Sequence, residues 1–134
     1  MATLFTRILN GELPGHFVWR DERCAVFLSI NPLTAGHALV VPVAEVDHWL
    51  DLDVETNMHL TAVAHRVGQA IMETQRPQRV ATVMAGFEVP HVHLHVFGVN
   101  SMSDLDFANA AAGVEQGELA ADAALLREAL GTSG

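Results

Sequence analysis

The chain has no lysine and no tyrosine, only one cysteine, and no long apolar run. Each absence excludes something. Seven scattered arginines face 16 acidic residues, for a formal charge of -9. There is no basic stripe, so a nucleic-acid polymer is a poor partner. The same negative field opposes small anionic ligands. Any phosphate site must therefore use local neutral donors: backbone N–H groups, hydroxyls and imidazoles. The single cysteine, Cys24, forbids an internal disulfide and fits a reducing cytoplasm. It lies in the apolar run Cys24-Ala25-Val26-Phe27-Leu28, which reads as a buried structural thiol. No segment approaches the ~20 apolar residues of a membrane span. The first seven residues lack the apolar stretch of a secretory signal. A cytoplasmic protein with no membrane partner is expected.

What the chain does have is histidine, eight in 134 residues. Three of them fall in His91-Val92-His93-Leu94-His95, which continues into Val96-Phe97-Gly98. The alternation has the period of a strand, so the three imidazoles share one face while Val92, Leu94 and Val96 share the other. Alternate side chains on a strand stand roughly 6.5–7 Å apart. Three readings fit such a row. It can be a polar sheet face bonded to nearby backbone. It can be a metal site, since His-x-His on a strand presents two imidazoles to one ion. It can be a nucleophilic site at phosphorus, the middle imidazole attacking and its neighbours orienting it.

At 134 residues and 50% hydrophobic content, one domain with one core is expected. Residues 3–10 read as one or two helical turns ending at Asn10-Gly11, and Leu13-Pro14-Gly15 as a turn. Strands are expected at His16–Trp19, Cys24–Ser29 and His37–Val41, the last stopped by Pro42, with a loop at Asn31–Gly36. Asp53 can cap an amphipathic helix of about 20 residues carrying Leu60, Val63, Ala64, Val67 and Ile71. His59 and His65 lie off that stripe and read as ordinary surface residues. Strands follow at Arg79–Met84 and His91–Val99, with a tight connection at Ala85–Pro90 between them. Asn100–Gly117 reads as irregular, and Leu119, Ala123, Leu126 and Leu130 mark a final helix. The order predicts an α+β domain: a five-stranded antiparallel sheet, a short N-terminal helix, one long helix and a C-terminal helix.

Three separated segments together resemble the histidine triad superfamily. The triad is His91-Val92-His93-Leu94-His95-Val96-Phe97. Phe5-Thr6-Arg7-Ile8-Leu9-Asn10-Gly11-Glu12-Leu13-Pro14 is similar to the family's first helix and following turn. Phe27-Leu28-Ser29-Ile30-Asn31-Pro32 through Gly36-His37, then Val40-Val41-Pro42, resembles the segment that frames the nucleoside and ends in a fourth active-site histidine. The likeness covers roughly residues 3–100, leaving 101–134 as an extension of the single domain. It implies nucleotide binding, cleavage at the α-phosphorus, and a homodimer with joined sheets. By position it makes His93 the nucleophile, flanked by His91 and His95 and supported by His37. Leu4, Phe5, Ile8, Phe27 and Ile30 would line a base pocket, and Ser29, Asn31, Gly86 and Val89 would complete the nucleotide site. Plain core is an equal reading for Ile8 and Phe27.

The chain departs from that pattern in three places. Many bacterial relatives have Cys-x-x-Cys near the N-terminus as part of a structural zinc site; Thr3 and Thr6 stand there, and Glu45 replaces a histidine. Too few soft ligands remain, so no metal and no cofactor are expected. A serine, Ser29, stands where relatives place a group for the ribose hydroxyls. In the short loop before the triad, Phe87 and Glu88 occupy positions where Gln and a hydroxyl are common. If partly buried beside phosphate, Glu88 would hold a proton and could act as general acid; if turned to solvent, it has no such part, and Pro90 leaves its facing open. The expected function is a nucleotide hydrolase or nucleotidyl transferase acting on a phosphoramidate or dinucleoside polyphosphate. The alternatives are a nucleotide-binding protein with vestigial catalysis and a metal-dependent enzyme using the histidine row.

Overall fold

The computed structural model describes residues 2–132. Helix α1 (Leu4–Leu9) is capped by Thr3, whose hydroxyl accepts the Thr6 N–H. Strands β1 (Phe17–Arg20), β2 (Cys24–Leu28) and β3 (Ala38–Pro42) follow, then the long helix α2 (Val54–Gln75), strands β4 (Arg79–Val83) and β5 (Leu94–Val99), and helix α3 (Gln116–Leu130). All pairings are antiparallel, in the order β1-β2-β3-β5-β4. The expected α+β architecture is the one observed.

Alternation along the strands splits the sheet into two apolar faces. Val26, Leu28, Val40, Leu94 and Val96 pack beneath α2 and α3 against Leu60, Val67, Ile71, Leu119 and Leu126. The opposite face carries Phe27, Leu39 and Val41, covered by Phe5 of α1. Asp53 caps α2 as expected, accepting the Thr56 N–H, and Arg76 ends it with a left-handed backbone before Pro77. Pro77 then lies flat on β5. A Cβ at Gly98 would stand 2.7 Å from its ring, so only glycine fits there.

The last strand is shorter than the alternation predicts. It begins at Leu94 rather than His91, because its neighbour β3 ends at Pro42, and the ladder stops with the pair Val40–Leu94. Residues 91–93 find other acceptors: the His91 N–H donates to the Val89 carbonyl and the Val92 N–H to the Val46 carbonyl. Their faces persist. Val92 joins the core under α2, while His91 and His93 lie buried on the other side. The stretch expected to be irregular, 100–117, holds two short 3-10 turns, Met102–Leu105 and Phe107–Asn109.

Candidate active site

His91, His93 and His95 converge with His37 on the face away from α2, and their hydrogen bonds fix which nitrogen of each ring carries a proton. The Leu33 N–H donates to His37 Nδ1 at 2.9 Å, so the neutral His37 ring carries its proton on Nε2. That Nε2 is 2.9 Å from His95 Nδ1 and must donate to it. His95 then holds its own proton on Nε2. His93 Nδ1 lies 2.8 Å from the His91 carbonyl oxygen, which can only accept. The proton of His93 is therefore on Nδ1, and its Nε2 carries a free lone pair. The His91 ring is different in kind. Its Nε2 donates to the Pro42 carbonyl at 2.7 Å, its Nδ1 is 2.7 Å from the Thr3 hydroxyl, and it has no exposed surface.

Burial keeps this group neutral. Desolvation, with His95 nearby, pushes His37 down to about 3. Desolvation, with His93 nearby, pushes His95 down to about 4. His93 is lowered by burial, which outweighs the hydrogen bond to His91 and the charge of Glu88. The site thus presents a free lone pair on His93 Nε2 beside a neutral N–H donor on His95 Nε2. An acidic protein can offer this pair to a phosphate without a cationic side chain.

Phe5 lies edge-on to His93, ring centroids 4.9 Å apart, and to Phe27 at 5.6 Å. Ile8 and Val89 pack around them, so four of the expected nucleotide residues share one apolar cluster. Leu4 and Ile30 are largely exposed. Ser29 is half-buried and its Oγ accepts the Asn31 N–H. The Asn31 side-chain amide donates to the Ala111 carbonyl. Gly86 turns the loop before the triad with φ +88°. In that loop Phe87 is 98% exposed. Glu88 is exposed too and makes no side-chain hydrogen bond to the described residues. The partial burial that would have kept a proton on Glu88 is absent; the solvent-facing alternative is the one observed.

Sequence reasoning missed two participants in the site and one pairing outside it. Phe107, in the second 3-10 turn, sits edge-on to His95 with ring centroids 4.9 Å apart, and 6.2 Å from His37. No periodicity marks an aromatic in an irregular stretch. The Leu33 N–H, which sets the tautomer of His37, is a backbone group and leaves no side-chain signal. His59 is not an ordinary surface residue. It is half-buried and bonds Asp21 at 2.8 Å, whose carboxylate also accepts from Trp19 Nε1 and the Arg23 and Cys24 N–H groups. Asp21, Cys24 and His59 are the one group of three such donors close enough to hold a metal among the described residues. Cys24 is the buried thiol expected; burial, with Asp21 beside it, raises it to about 12.

Thr3, Thr6 and Glu45, the positions that the resemblance sets against the relatives' zinc site, also come together, with His91 beside Thr3. With two hydroxyls in place of thiolates and both nitrogens of His91 already hydrogen-bonded, only the Glu45 carboxylate is left as a ligand, too few for a structural zinc site.

Residues 10–102 match the family model described as HIT domain. An uncharacterised HIT-like protein of Borreliella burgdorferi is 33% identical over 100 residues, covering 69% of this chain and 72% of that one. The crystal structure of a zinc-bound histidine triad family protein from Mycobacterium smegmatis superimposes with a TM-score of 0.83 at 27% identity, covering 98% of this chain and 94% of the other. A hypothetical histidine triad nucleotide-binding protein from Sulfolobus tokodaii shares the fold with a TM-score of 0.83 at 24% identity, over 95% and 91% of the two chains. Triad, fold and family model agree, and the chain belongs to the HIT domain family.

Proposed function

We propose that the protein binds a nucleotide and cleaves it at the α-phosphorus through a nucleotidyl-His93 intermediate. One observation carries this reading: with its Nδ1–H committed to the His91 carbonyl, His93 is left with a free lone pair on Nε2 at the open face of the row. In the first step His93 Nε2 forms a bond to phosphorus and the bond to the leaving group breaks, the leaving group keeping the electron pair and taking up a proton. In the second, water attacks phosphorus, the P–N bond breaks, and the nucleoside monophosphate leaves. His95 Nε2–H is placed to donate to a phosphoryl oxygen as charge develops there. The His37–His95 bond keeps that proton on the outer nitrogen. Phe5, Phe27, Ile8 and Val89 support a base-binding role next to the nucleophile.

The substrate class we propose is a nucleoside phosphoramidate or dinucleoside polyphosphate in the cytoplasm. The exposed Phe87 and Glu88 favour a second reading, a nucleotide-binding protein with weak catalysis, because neither offers the phosphate a neutral donor. A second copy of the chain is the proposed partner. The outer edge of β4 is unpaired, and between it and α2 runs a groove of about 430 Å³ lined by Ala64, Gly68, Met72 and Val80. A monomer in sizing and scattering at micromolar concentration would remove that part of the proposal.

The test is turnover of adenosine phosphoramidate by the parent and by His93→Ala. Turnover should fall by several orders of magnitude in the variant, while it stays folded and still binds a nucleoside monophosphate. Acid-quenched parent should carry a nucleotidyl adduct on His93. Near-parental turnover in His93→Ala refutes the nucleophile; binding without turnover in the parent selects the second reading.

A further inference from the structure

Helix α1 is joined to the triad by a continuous hydrogen-bonded network. The Pro42 carbonyl only accepts, so His91 Nε2–H donates to it at 2.7 Å. His91 Nδ1 pairs with the Thr3 hydroxyl, 2.7 Å away, and that hydroxyl also lies 3.2 Å from Thr6 Oγ1. Thr3 Oγ1 also accepts the Thr6 N–H as the cap of α1, at 3.1 Å. At the surface Glu45 accepts the Thr3 N–H at 2.8 Å, and the neighbouring Thr6 and Thr3 groups hold its carboxyl below the usual carboxylate range. One small assembly thus fixes the start of α1, the loop after β3 and the first triad ring.

We propose that Thr3, Thr6 and Glu45 form a metal-free strut whose task is to position His91 and, through the His91 carbonyl, the nucleophile His93. The carbonyl of His91 receives His93 Nδ1–H at 2.8 Å, and this bond keeps the lone pair of His93 on Nε2. From the same anchor, Phe5 of α1 reaches the His93 ring, centroids 4.9 Å apart. Helix and nucleophile are therefore set by one point. Where relatives carrying Cys-x-x-Cys would gather thiolates around a zinc ion, this chain closes the same corner with hydroxyl and carboxylate hydrogen bonds. Without the Thr3 hydroxyl, the buried His91 Nδ1 loses its one hydrogen-bond partner among the described residues, a costly state that tilting of the ring relieves. The tilt carries the His91 carbonyl out of line with His93. None of the three strut residues touches substrate; they are positioning residues.

The test compares the parent with Thr3→Val, Thr3→Ser and Glu45→Ala, and rests on the proposed hydrolysis only for its kinetic arm. Metal content and melting in EDTA test the absence of zinc. Imidazole nitrogen NMR reads the tautomers of His91 and His93. Rates on adenosine phosphoramidate separate kcat from KM. The parent should hold no stoichiometric zinc, melt identically in EDTA, and show His91 protonated on Nε2. Thr3→Val should shift the His91 and His93 signals and lower kcat about tenfold, with KM little changed; that loss corresponds to ~1.4 kcal/mol. Thr3→Ser should restore both readings. Glu45→Ala lies at the surface and should move them the same way but less, which keeps the test open if Thr3→Val does not fold. One zinc per chain in the parent overturns the proposal, as do unchanged imidazole signals in the folded variants. A parent with no turnover refutes the hydrolase reading, while the zinc and NMR measurements still decide the strut.

Discussion

At the scale of single residues, the four active-site histidines have three different tasks, and backbone atoms assign them. A carbonyl fixes the proton of His93 on Nδ1, an N–H fixes that of His37 on Nε2, and a carbonyl with a hydroxyl holds His91 in place. The sequence made the row of imidazoles legible, because alternation is a property of side chains. It could not tell the roles apart, because their partners are the main chain of Leu33, Pro42 and His91, invisible to any residue pattern. Glu88 is the charge that remains near the nucleophile. It is exposed, and its negative charge raises the proton affinity of His93 against the stronger effect of burial. Removing that charge must favour the neutral ring further. Glu88→Gln should therefore move the acid limb of the pH–rate profile to lower pH, with the plateau above it unchanged or higher as repulsion of phosphate is relieved. A loss of the plateau would mean that Glu88 donates a proton after all.

At the scale of elements, the long helix, the sheet and its order follow from strong periodicity; most strand ends moved by a residue, and the one larger shift came where proline withholds a donor. His91–His93 lost their ladder because β3 ends in Pro42. The segment 101–111 is where sequence reading fell short. It was set aside as an extension, yet it closes the site. The Ala111 N–H donates to the Pro32 carbonyl and the Asn31 amide donates to the Ala111 carbonyl, tying the segment to the loop that precedes His37. Between these anchors and the sheet, Phe107 covers His95 and, more distantly, His37 and Phe97. It remains 40% exposed, so one side of the ring shields the histidine pair and the other meets solvent. Water excluded by Phe107 contributes to the burial that holds His95 near 4; His37 and His93 are the titratable groups that face it. Phe107→Ala should admit water and raise the pH at which His95 takes a proton toward the ordinary ~6.5. Phe107→Leu, which keeps most of the apolar cover, should restore the parent value. Proton NMR titration of His95 reads this directly, and a midpoint unmoved in Phe107→Ala would show that the segment is only a bystander.

At the scale of the whole molecule, a row of histidines buried in neutral form links the site to stability. An unfolded chain takes up protons on His37 and His95 near the ordinary ~6.5. The folded chain refuses them until about 3 and about 4, because both are desolvated and each adjoins another histidine. Between those limits the unfolded state binds more protons, so stability must rise with pH. The contribution is fully present above ~6.5 and is lost as pH falls toward 4, at up to ~1.4 kcal/mol per pH unit for each ring. A carboxylate acts later in the same titration. Burial pushes Asp21 up, but its bonds from Trp19, Cys24, His59 and Arg23 together hold it below the usual range, so its contribution is lost only below ~4. Acid unfolding should therefore begin with the histidines and finish with the Asp21 turn. Urea midpoints measured at intervals from pH 7 to pH 4.5 should decline steadily. His37→Leu should make that decline shallower, whatever it does to stability at pH 7, because one of the rings that burial keeps neutral, alongside His95 and His93, is gone. The slope is the decisive quantity. If parent and His37→Leu lose stability in parallel over this range, the histidine pair is not held neutral by the fold, and the proton assignment from Leu33 through His37 to His95 falls with it.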